Sequence, residues 1–329
     1  MKSTHVSLNA GKAGFLIAFM SLVLAIGACA PTRPALAPEE KFNAEAHFPE
    51  EFQAERAIPN CNQNVVWHSS MKAETQDMAA EIHALYAGLL PNLDDKAKED
   101  LLKKSQKSLS KRLIRNLLIE GKSINLGAFR IKGYCWTDEN GKKQPLVAYR
   151  SAITPWPKRP DSCYRSLLKN GHIKNIINLY DGSIPLKDHQ TMEKEVAKEM
   201  GVNYIDTTDP QINIPPFREL VEKEADFNNP ENRRKASESV SRIINEFVLS
   251  SNGEAPKGNV YYHCAGGMHR TGIISGVIQR CVNGMDMETI KKSYARHVAY
   301  ENEEVKGGFE ELNLRFIQEF DCGLIKQNP

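Results

Sequence analysis

The chain has 329 residues, of which 41 % are hydrophobic, and its 43 Lys and Arg nearly balance its 41 Asp and Glu, leaving a formal net charge of +2. This composition is typical of a globular protein with room for one large or two small domains. The near-neutral balance argues against a broad basic surface, so we expect no nucleic-acid partner. Any positive field that the protein uses has to be local.

The first residues have the pattern of an export signal rather than of a folded element. Lys2 and Lys12 precede an apolar run from Gly14 to Ile26, and small residues lead from this run to Cys29. The run is shorter than a typical membrane-spanning helix and fits a secretory signal.

A lipid anchor is suggested by the run Ile26-Gly27-Ala28-Cys29, which resembles the lipobox of bacterial lipoproteins. The resemblance implies that residues 1–29 form a lipoprotein-type signal and that Cys29 carries the lipid. Ala30 resembles the residue found in lipoproteins sorted to the outer membrane. We therefore expect an exported protein of the bacterial cell envelope, periplasmic and anchored to the outer membrane through lipid. A plain secretory signal cut near Ala28 or Ala30 is the alternative.

Three segments follow the signal. Residues 30–60 are rich in Pro, Glu and Ala and are predicted to be a tether. Residues 61–121 carry apolar side chains at helical spacing, so we expect a helical N-terminal extension with a solvated basic side. Residues 122–329 alternate short extended runs with amphipathic helices, which predicts an α/β domain with a central, mostly parallel sheet flanked by helices. We expect strands at 125–132, 146–151, 173–179 and 202–205 and helices at 163–169, 188–200, 237–249, 287–298 and 309–320.

The strongest chemical signal lies between Asn259 and Gly272. A β-prone run leads into Cys264, a glycine-bearing loop follows, and a helical pattern begins at Ile273. Glycines in the loop allow successive N–H groups to point inward, and the helix adds its positive N-terminal end. This arrangement predicts an anion-binding cradle. Its phosphate-binding amides would come from Ala265, Gly266, Gly267, Met268, His269 and Arg270.

A cysteine at the base of this cradle is a candidate nucleophile. The loop amides and Arg270 stabilise negative charge, so they favour the thiolate of Cys264. The guanidinium of Arg270 can bind two oxygens of a tetrahedral anion. Thr271 can donate its hydroxyl to the sulfur, and His263 is expected to hydrogen-bond around the cysteine backbone.

A family resemblance is carried by the run His263-Cys264-x5-Arg270-Thr271-Gly272. It resembles the phosphate-binding loop of the protein tyrosine phosphatase superfamily, nearer to the dual-specificity and inositol-phosphatase branches. Tyr149-Arg150-Ser151-Ala152 is similar to the first catalytic-domain strand of small dual-specificity phosphatases. The resemblance implies that residues 122–329 are a cysteine-phosphatase domain acting through a cysteinyl-phosphate intermediate. It implies neither a metal nor an organic cofactor, because Arg270 and the loop dipoles would stabilise the charge.

A proton donor is expected in the polar loop from Asp206 to Gln211, which leaves a predicted strand. When a phosphate ester is cleaved, an alcohol oxygen that would otherwise leave as an alkoxide needs such a donor. The pattern Tyr204-Ile205-x3-Asp209 resembles the general-acid loop of dual-specificity phosphatases, which implies Asp209 as the acid and Asp206 as the reserve. Turn formation is the alternative for both, since Asp is common in turns.

Two features have open interpretations. The charged insertion from Glu219 to Lys235 either walls the site or forms a solvated face, and the solvated face is slightly favoured. Besides Cys29 and Cys264 there are five cysteines, which cannot all pair within one chain. One of them could protect Cys264 by forming a reversible disulfide. The sequence does not identify the partner.

The substrate is suggested by resemblance alone. Added N-terminal helices, export and His269 in the loop resemble the tyrosine-phosphatase-like inositol phosphatases, or cysteine phytases, which implies inositol polyphosphates. The loop residues 265–269 are less basic than in many of those enzymes, so a phosphotyrosine or dual-specificity phosphatase acting on phosphoproteins stays open. An inactive module that binds phosphorylated ligands is a further alternative. Rhodanese-like sulfur transfer fits less well, because Arg270 and Asp209 suit phosphate.

Overall fold

The computed structural model describes residues 94, 96–97, 124–153, 161–180, 187–251, 253–298 and 309–326. All of them belong to Asn43–Pro329, the larger of the two units into which the chain divides. The expected signal with Cys29 and the tether lie outside the described residues. So does nearly all of the expected helical extension, although Asp94 accepts a hydrogen bond from the N–H of Ala97 at 2.7 Å, as a residue that caps a helix start does.

A five-stranded sheet forms the centre of the described part of the chain, in the order β1-β2-β5-β3-β4. Only the pair β1 and β2 is antiparallel, and the other neighbours run parallel. The predicted α/β fold with a mostly parallel sheet is therefore confirmed. The strands are β1 Gly127–Thr137, β2 Lys143–Ala152, β3 Ile173–Asn178, β4 Asn203–Asp206 and β5 Asn259–Cys264.

Helices cover the sheet, and none of those in the described ranges is both long and apolar enough to cross a membrane. A π-helical turn, Ile244–Val248, continues one of them, and a 3₁₀ turn, Cys322–Leu324, follows the last. The helices are α1 Asp161–Asn170, α2 Lys187–Glu199, α3 Glu224–Phe227, α4 Pro230–Ile243, α5 His269–Cys281, α6 Met287–Val298 and α7 Phe309–Glu319.

Helix α4 begins earlier than the sequence pattern indicated. The side chain of Asn229 accepts a hydrogen bond from the N–H of Glu231, and Pro230 occupies the first turn. Both features favour a helix start, because the cap satisfies a free N–H and proline is preset for the first turn. Part of the expected insertion is therefore regular helix, and the last predicted turn before Leu249 is π-helical, from Ile244 to Val248.

Strand β5 lies in the middle of the sheet, and all six of its residues are buried. The helix that follows it, α5, is buried along ten consecutive residues from Arg270 to Gln279. Close packing is possible because Gly272 and Gly276 leave room for the side chains of Tyr294 on α6 and Ile317 on α7. The strand that carries Cys264 is thus held from both faces of the sheet.

The parallel strands end at one edge of the sheet. Ala152 at the end of β2 pairs with Cys264, while Asn178 at the end of β3 pairs with both His263 and Asp206. Loops that leave the carboxyl ends of neighbouring parallel strands meet at the same edge. The loop after β4, which contains Asp209, therefore emerges on the same side as the loop after Cys264.

Candidate active site

Cys264 ends the central strand and opens a tight loop. Its side chain is 4 % exposed and carries a free thiol. Residues 265–268 form the loop, and α5 begins at His269. The carbonyl of Cys264 accepts a hydrogen bond from the N–H of Ile153 at 3.1 Å, so the loop starts directly against the end of β2. The structure thus places the expected strand, loop and helix in the expected order.

Gly267 is the residue at which the loop turns. Its φ is +64°, and a Cβ atom there would lie 2.6 Å from the carbonyl carbon and oxygen of Ser151. A side chain would therefore meet both backbone strain and backbone atoms that cannot move aside. Only glycine fits this position, because the loop rests on the backbone of β2.

Two buried side chains hold the loop carbonyls from outside. The guanidinium of Arg150, on β2, donates to the carbonyl of Gly267 and, at 3.2 Å, to the hydroxyl of Ser275. The amide of Asn125 donates at 3.0 Å to the carbonyl of Gly266. Because the C=O and N–H of a peptide point in opposite directions, fixing carbonyls outward leaves loop N–H groups free to face inward. No pattern in the sequence indicated that Asn125 contacts the loop, and Arg150 was noticed only through the family resemblance.

Asn125 also connects the loop to α6. Its amide donates to the carbonyl of His297 at 3.0 Å, and its oxygen lies 2.8 Å from Nδ1 of the same histidine. The backbone of Asn125 has a φ of +52°, which asparagine tolerates better than most residues. One side chain therefore ties a segment before β1 to the loop and to a C-terminal helix.

The surroundings of Cys264 favour its ionised form. Burial raises the pKa of the thiol, but the hydroxyl and N–H of Thr271 and the charge of Arg270 outweigh burial, so the pKa lies below the ordinary value. The buried hydroxyl of Thr271 has no other protein partner, and the sulfur is the acceptor that it can serve. The site holds a thiol poised to become a nucleophile.

Arg270 is 6 % exposed and contacts the carboxylate of Glu219 at 2.5 Å. The interpretation of the Glu219–Lys235 stretch as a solvated face is wrong for its first residue, which reaches the cradle. The interpretation as a solvated face is correct for the start of α4, where Arg234 forms exposed ion pairs with Glu231 and Glu238. The arginine is therefore oriented by a protein carboxylate.

His269 lies at the start of α5, beside a second carboxylate that the sequence did not indicate. Its Nε2 is 3.8 Å from Glu310 at the N-terminal end of α7, and Glu310 is only 2 % exposed. The loop side thus gathers Arg270 and His269, each next to a carboxylate.

His263 does not sit as predicted around the cysteine backbone. Its imidazole is fully buried on the other side of β5, where Nε2 lies 2.8 Å from the carboxylate of Glu193 on α2. Neighbouring residues of a strand point to opposite faces, which explains why His263 is directed away from the loop. No local pattern in the sequence links Glu193 to the motif.

The two candidate acids have different environments. Asp209 is exposed in the loop after β4, and its carboxylate accepts the N–H of Gln211 at 2.9 Å. Partial burial raises the pKa of Asp206, but hydrogen bonds from Thr208 and Lys194 outweigh it and lower this pKa below the ordinary value. Asp206 is therefore held as a carboxylate, which makes it the poorer proton donor.

The cysteines near the site do not offer Cys264 a partner among the described residues. Cys281 is bonded to Cys322, and Cys163 is also disulfide-bonded. Cys135 is free and exposed, but it pairs with Pro145 near the start of β2, whereas Cys264 pairs with the end of that strand. Seven strand residues span about 23 Å. The hypothesis of a protecting disulfide finds no support in this part of the chain.

Comparisons with known proteins gave only distant structural similarity. No model of a protein family matches the chain, and no curated protein matches it. The core catalytic domain of the PP-IP phosphatase SIW14 from S. cerevisiae, in complex with citrate, is similar at 20 % identity and a TM-score of 0.32, covering 53 % of this chain and 80 % of that one. Another structure of the Siw14 catalytic core is similar at 18 % identity and a TM-score of 0.32, and it covers the same shares of the two chains.

TpbA from P. aeruginosa is a third similar structure, at 13 % identity and a TM-score of 0.28, covering 59 % of this chain and 94 % of that chain. Similarity at this level assigns neither an activity nor a substrate to the protein. Its function must follow from the chemistry of its own residues.

Proposed function

We propose that the protein is a cysteine-dependent phosphomonoesterase that forms a cysteinyl-phosphate intermediate. The observation that carries the proposal is the setting of Cys264, a buried free thiol with a lowered pKa at the mouth of a glycine loop. The loop carbonyls are held outward by Arg150 and Asn125, and Arg270 completes the ring of donors. A tetrahedral dianion fits such a ring of donors better than any other common ligand.

In the first step the thiolate of Cys264 attacks phosphorus, and the bond to the ester oxygen breaks on the opposite side. Inward-facing loop amides and the guanidinium of Arg270 bind the equatorial oxygens, over which charge spreads in the transition state. The carboxylic acid of Asp209 gives its proton to the departing oxygen.

In the second step water attacks the phosphorus of the intermediate. The carboxylate of Asp209 accepts a proton from the water, and the sulfur of Cys264 leaves as a thiolate. The Thr271 hydroxyl donates to the sulfur, which makes the thiolate a better leaving group. Phosphate and the starting enzyme are then restored without any net redox change.

For the substrate we propose inositol polyphosphates, with phosphotyrosine proteins as the alternative. The inositol proposal is supported by the resemblance of the His269-containing loop to that of cysteine phytases and by the imidazole that this residue places at the start of α5. Phosphotyrosine is favoured by the other loop side chains, Ala265 to Met268, since none of them is basic. Kinetic constants for both substrate classes, measured on one preparation, separate the two.

For the location we propose export to the bacterial envelope, with a lipid on Cys29 holding the protein at the periplasmic face of the outer membrane. The disulfide between Cys281 and Cys322 supports an oxidising compartment, because such bonds are rare in reducing cytosol. Palmitate labelling of cells should be lost in a Cys29→Ala variant. Unchanged labelling would remove the lipid anchor from the proposal.

The decisive test is phosphate release by the purified chain in the presence of EDTA, with p-nitrophenyl phosphate, inositol phosphates and phosphotyrosine peptides. Cys264→Ser, which keeps the size of the side chain, is the matched control. Release that survives EDTA and disappears in Cys264→Ser supports the mechanism. Acid quenching should also trap a phosphate on the Cys264 peptide. A folded, reduced protein that binds phosphate without releasing it from any ester would instead be a phosphate-binding module.

A further inference from the structure

The disulfide between Cys281 and Cys322 lies at the far end of α5 from the cradle and is partly open to solvent. Cys281 is the last residue of α5, and Cys322 begins the 3₁₀ turn that follows α7. Both residues are half-buried, whereas Cys163, the other disulfide-bonded cysteine in the described part of the chain, is only 2 % exposed. A thiol from solution can therefore approach the sulfurs of Cys281 and Cys322 more easily than that of Cys163.

A guanidinium lies beside the two sulfurs of this bond. Nη1 of Arg280, in the last turn of α5, is 3.1 Å from Sγ of Cys322 and 3.6 Å from Sγ of Cys281. The same nitrogen donates to the carbonyl of Phe320 at 2.7 Å, which holds the side chain in place. Because Nη1 carries two hydrogens, it can donate to Phe320 and to one sulfur at the same time. The nearer sulfur is that of Cys322.

The two sulfurs differ in how well each can carry a negative charge. A cation close to a sulfur stabilises its thiolate, and Arg280 is closer to Cys322. Cys281 ends α5, where the helix dipole is negative and disfavours a thiolate. Asp321 is next to Cys322 in the chain, but its carboxylate is exposed and accepts the N–H of Gly323 at 2.9 Å, so solvent screens its charge. Cys322 is therefore the better leaving group.

We propose that Cys281 and Cys322 form a thiol–disulfide exchange site, in which an incoming thiolate attacks Sγ of Cys281 and Sγ of Cys322 leaves. The reactant is a thiol, and a dithiol completes the reduction of the bond. This inference does not depend on the proposed phosphatase activity, because neither cysteine takes part in it.

The exchange takes place in two balanced steps. In the first, the attacking sulfur bonds to Sγ of Cys281, the S–S bond breaks, and its electron pair goes to Sγ of Cys322, where Arg280 stabilises the charge. In the second, the other sulfur of the dithiol attacks the mixed disulfide and releases Cys281 as a thiolate. The dithiol is oxidised to a disulfide, and the two protons that it gives up balance those that the two cysteines gain.

Opening the bond loosens the C-terminal turn but leaves it in place. The side-chain amide of Asn245 donates to the carbonyl of Leu324 at 2.8 Å, and its oxygen accepts the N–H of Lys326 at 2.9 Å. The hydroxyl of Tyr134, on β1, donates to the carbonyl of Lys326 at 2.6 Å. These contacts keep the two sulfurs near each other after reduction. The oxidised form of the dithiol can therefore restore the bond by the reverse steps.

The test maps the first step in the folded wild-type chain with reduced glutathione, a monothiol that lacks the second sulfur needed to resolve the mixed disulfide. After a short reaction, free thiols are blocked with iodoacetamide, and mass spectrometry locates glutathione on the peptide of Cys281 or on that of Cys322. We expect about three- to tenfold more glutathione on Cys281 than on Cys322. Equal amounts on the two, or more on Cys322, would overturn the assignment.

Variants of Arg280 test the cause of this preference. In Arg280→Gln the ratio of glutathione on Cys281 to glutathione on Cys322 should fall about two- to fivefold, whereas Arg280→Lys keeps the charge and should keep most of the ratio. The ratio compares two sites in one molecule, so a general loosening of the fold affects both alike. Arg165→Gln, at an arginine on α1 that pairs with Glu199, is the control and should keep the wild-type ratio. An unchanged ratio in Arg280→Gln would contradict the role of the guanidinium.

Cys163 provides the control for unfolding. Dithiothreitol, a dithiol, should reduce the bond between Cys281 and Cys322 in the folded chain about tenfold faster than it frees the thiol of Cys163, whose sulfur is buried. Equal rates that do not depend on the dithiothreitol concentration would mean that both bonds open only when the chain unfolds, which overturns the exchange site. Since no readout involves a phosphate ester, each outcome is independent of the proposed function.

Discussion

The guanidinium of Arg270 contacts the carboxylate of Glu219, a residue 51 positions earlier in the chain. This contact orients the arginine at the mouth of the cradle before any phosphate is bound. It also places a negative charge beside the group that is proposed to bind an anion. Glu219 therefore contributes order to the site and weakens its attraction for phosphate.

Glu219→Gln should tighten the binding of inorganic phosphate. The variant removes a negative charge but keeps an oxygen that can accept from Arg270. Glu219 is about one-third exposed, so solvent screens its charge, and we expect the inhibition constant for phosphate to fall about two- to fivefold. Glu222→Gln, which alters the separate pair with Arg218, is the control. Weaker phosphate binding in Glu219→Gln would show that orientation of Arg270 outweighs the charge.

Gly267→Ala should abolish most of the activity. The added methyl group would meet the backbone of Ser151 at 2.6 Å and push the loop off β2. A displacement of about 1 Å at a reacting group costs about 100-fold in rate. Gly284→Ala is the matched control, since Gly284 also has a positive φ, +69°, but open space around it. It should cost about 1 kcal/mol of unfolding free energy and no activity. Similar turnover in the two variants would contradict the tight packing of the loop.

Thr271→Val should raise the pKa of Cys264. The hydroxyl of Thr271 is a leading cause of the lowered value, and valine has nearly the same shape without the donor. Because the thiolate is the proposed nucleophile, activity should fall as the pH drops through the pKa of Cys264 in the folded protein. That pKa is below the ordinary value, so the fall should come at low pH. The acidic limb of kcat/KM should therefore move to higher pH in Thr271→Val, with the largest loss at low pH. Thr271→Ser keeps the hydroxyl and should retain the wild-type limb.

The same depressed pKa links ionisation of Cys264 to stability. The ionised thiol contributes stability above its unfolded pKa, and this contribution is lost as the pH falls through the folded pKa. Thr271→Val should therefore lower the melting temperature more at alkaline than at acidic pH. An equal change at both pH values would mean that the hydroxyl does not act on the sulfur.

Asp209→Asn should slow turnover by about 10²–10⁴ on a phosphate ester with a poor leaving group. The loss should be much smaller on p-nitrophenyl phosphate, whose leaving group needs little protonation. Asp206→Asn, which disturbs the contacts with Lys194 and Thr208, should affect both substrates equally and weakly. If turnover depends on the leaving group in Asp206→Asn and not in Asp209→Asn, the general acid is Asp206 rather than Asp209.

Loss of the disulfide between Cys281 and Cys322 should destabilise the fold and spare the site. The bond joins residues 41 positions apart, and the chain-entropy account gives about 4 kcal/mol for such a loop. Cys281 lies at the far end of α5 from the cradle, about 18 Å along the helix. A variant with both cysteines changed to Ser should unfold at lower denaturant concentration while keeping kcat when folded. Cys135→Ser, at a free and exposed cysteine, should change neither.

The order of elements and the cradle could be predicted because their signals are local. Alternation of apolar runs with glycine and helical patterns marked β3, α2 and β4, and the observed bounds of these three elements differ from the prediction by at most one residue at each end. The cradle could be predicted because its glycines, its cysteine and its arginine all lie within one short loop of the sequence. Each of these properties is contained within a short stretch of sequence.

The carboxylates around the cradle could not be predicted. Glu193, Glu219 and Glu310 lie on separate segments of the chain, and each of them reaches its partner only after the sheet has formed: Glu219 and Glu310 beside the loop, and Glu193 at His263 on the other side of β5. Asn125 contacts Gly266 across 141 residues. A single glutamate or asparagine in a polar segment looks the same whether it faces solvent or a buried cation. Only the tertiary fold distinguishes the two.

The bracing of the loop by early strands has a consequence for when the protein becomes reactive. Arg150 contacts Gly267 across 117 residues, and Glu310 lies beside His269 from the last long helix. A chain that is synthesised from its N-terminus presents the strands that hold the loop long before its nucleophile and last helix emerge. Until then the cysteine is an ordinary thiol. Recovery of fast alkylation at Cys264 would thus time the completion of folding.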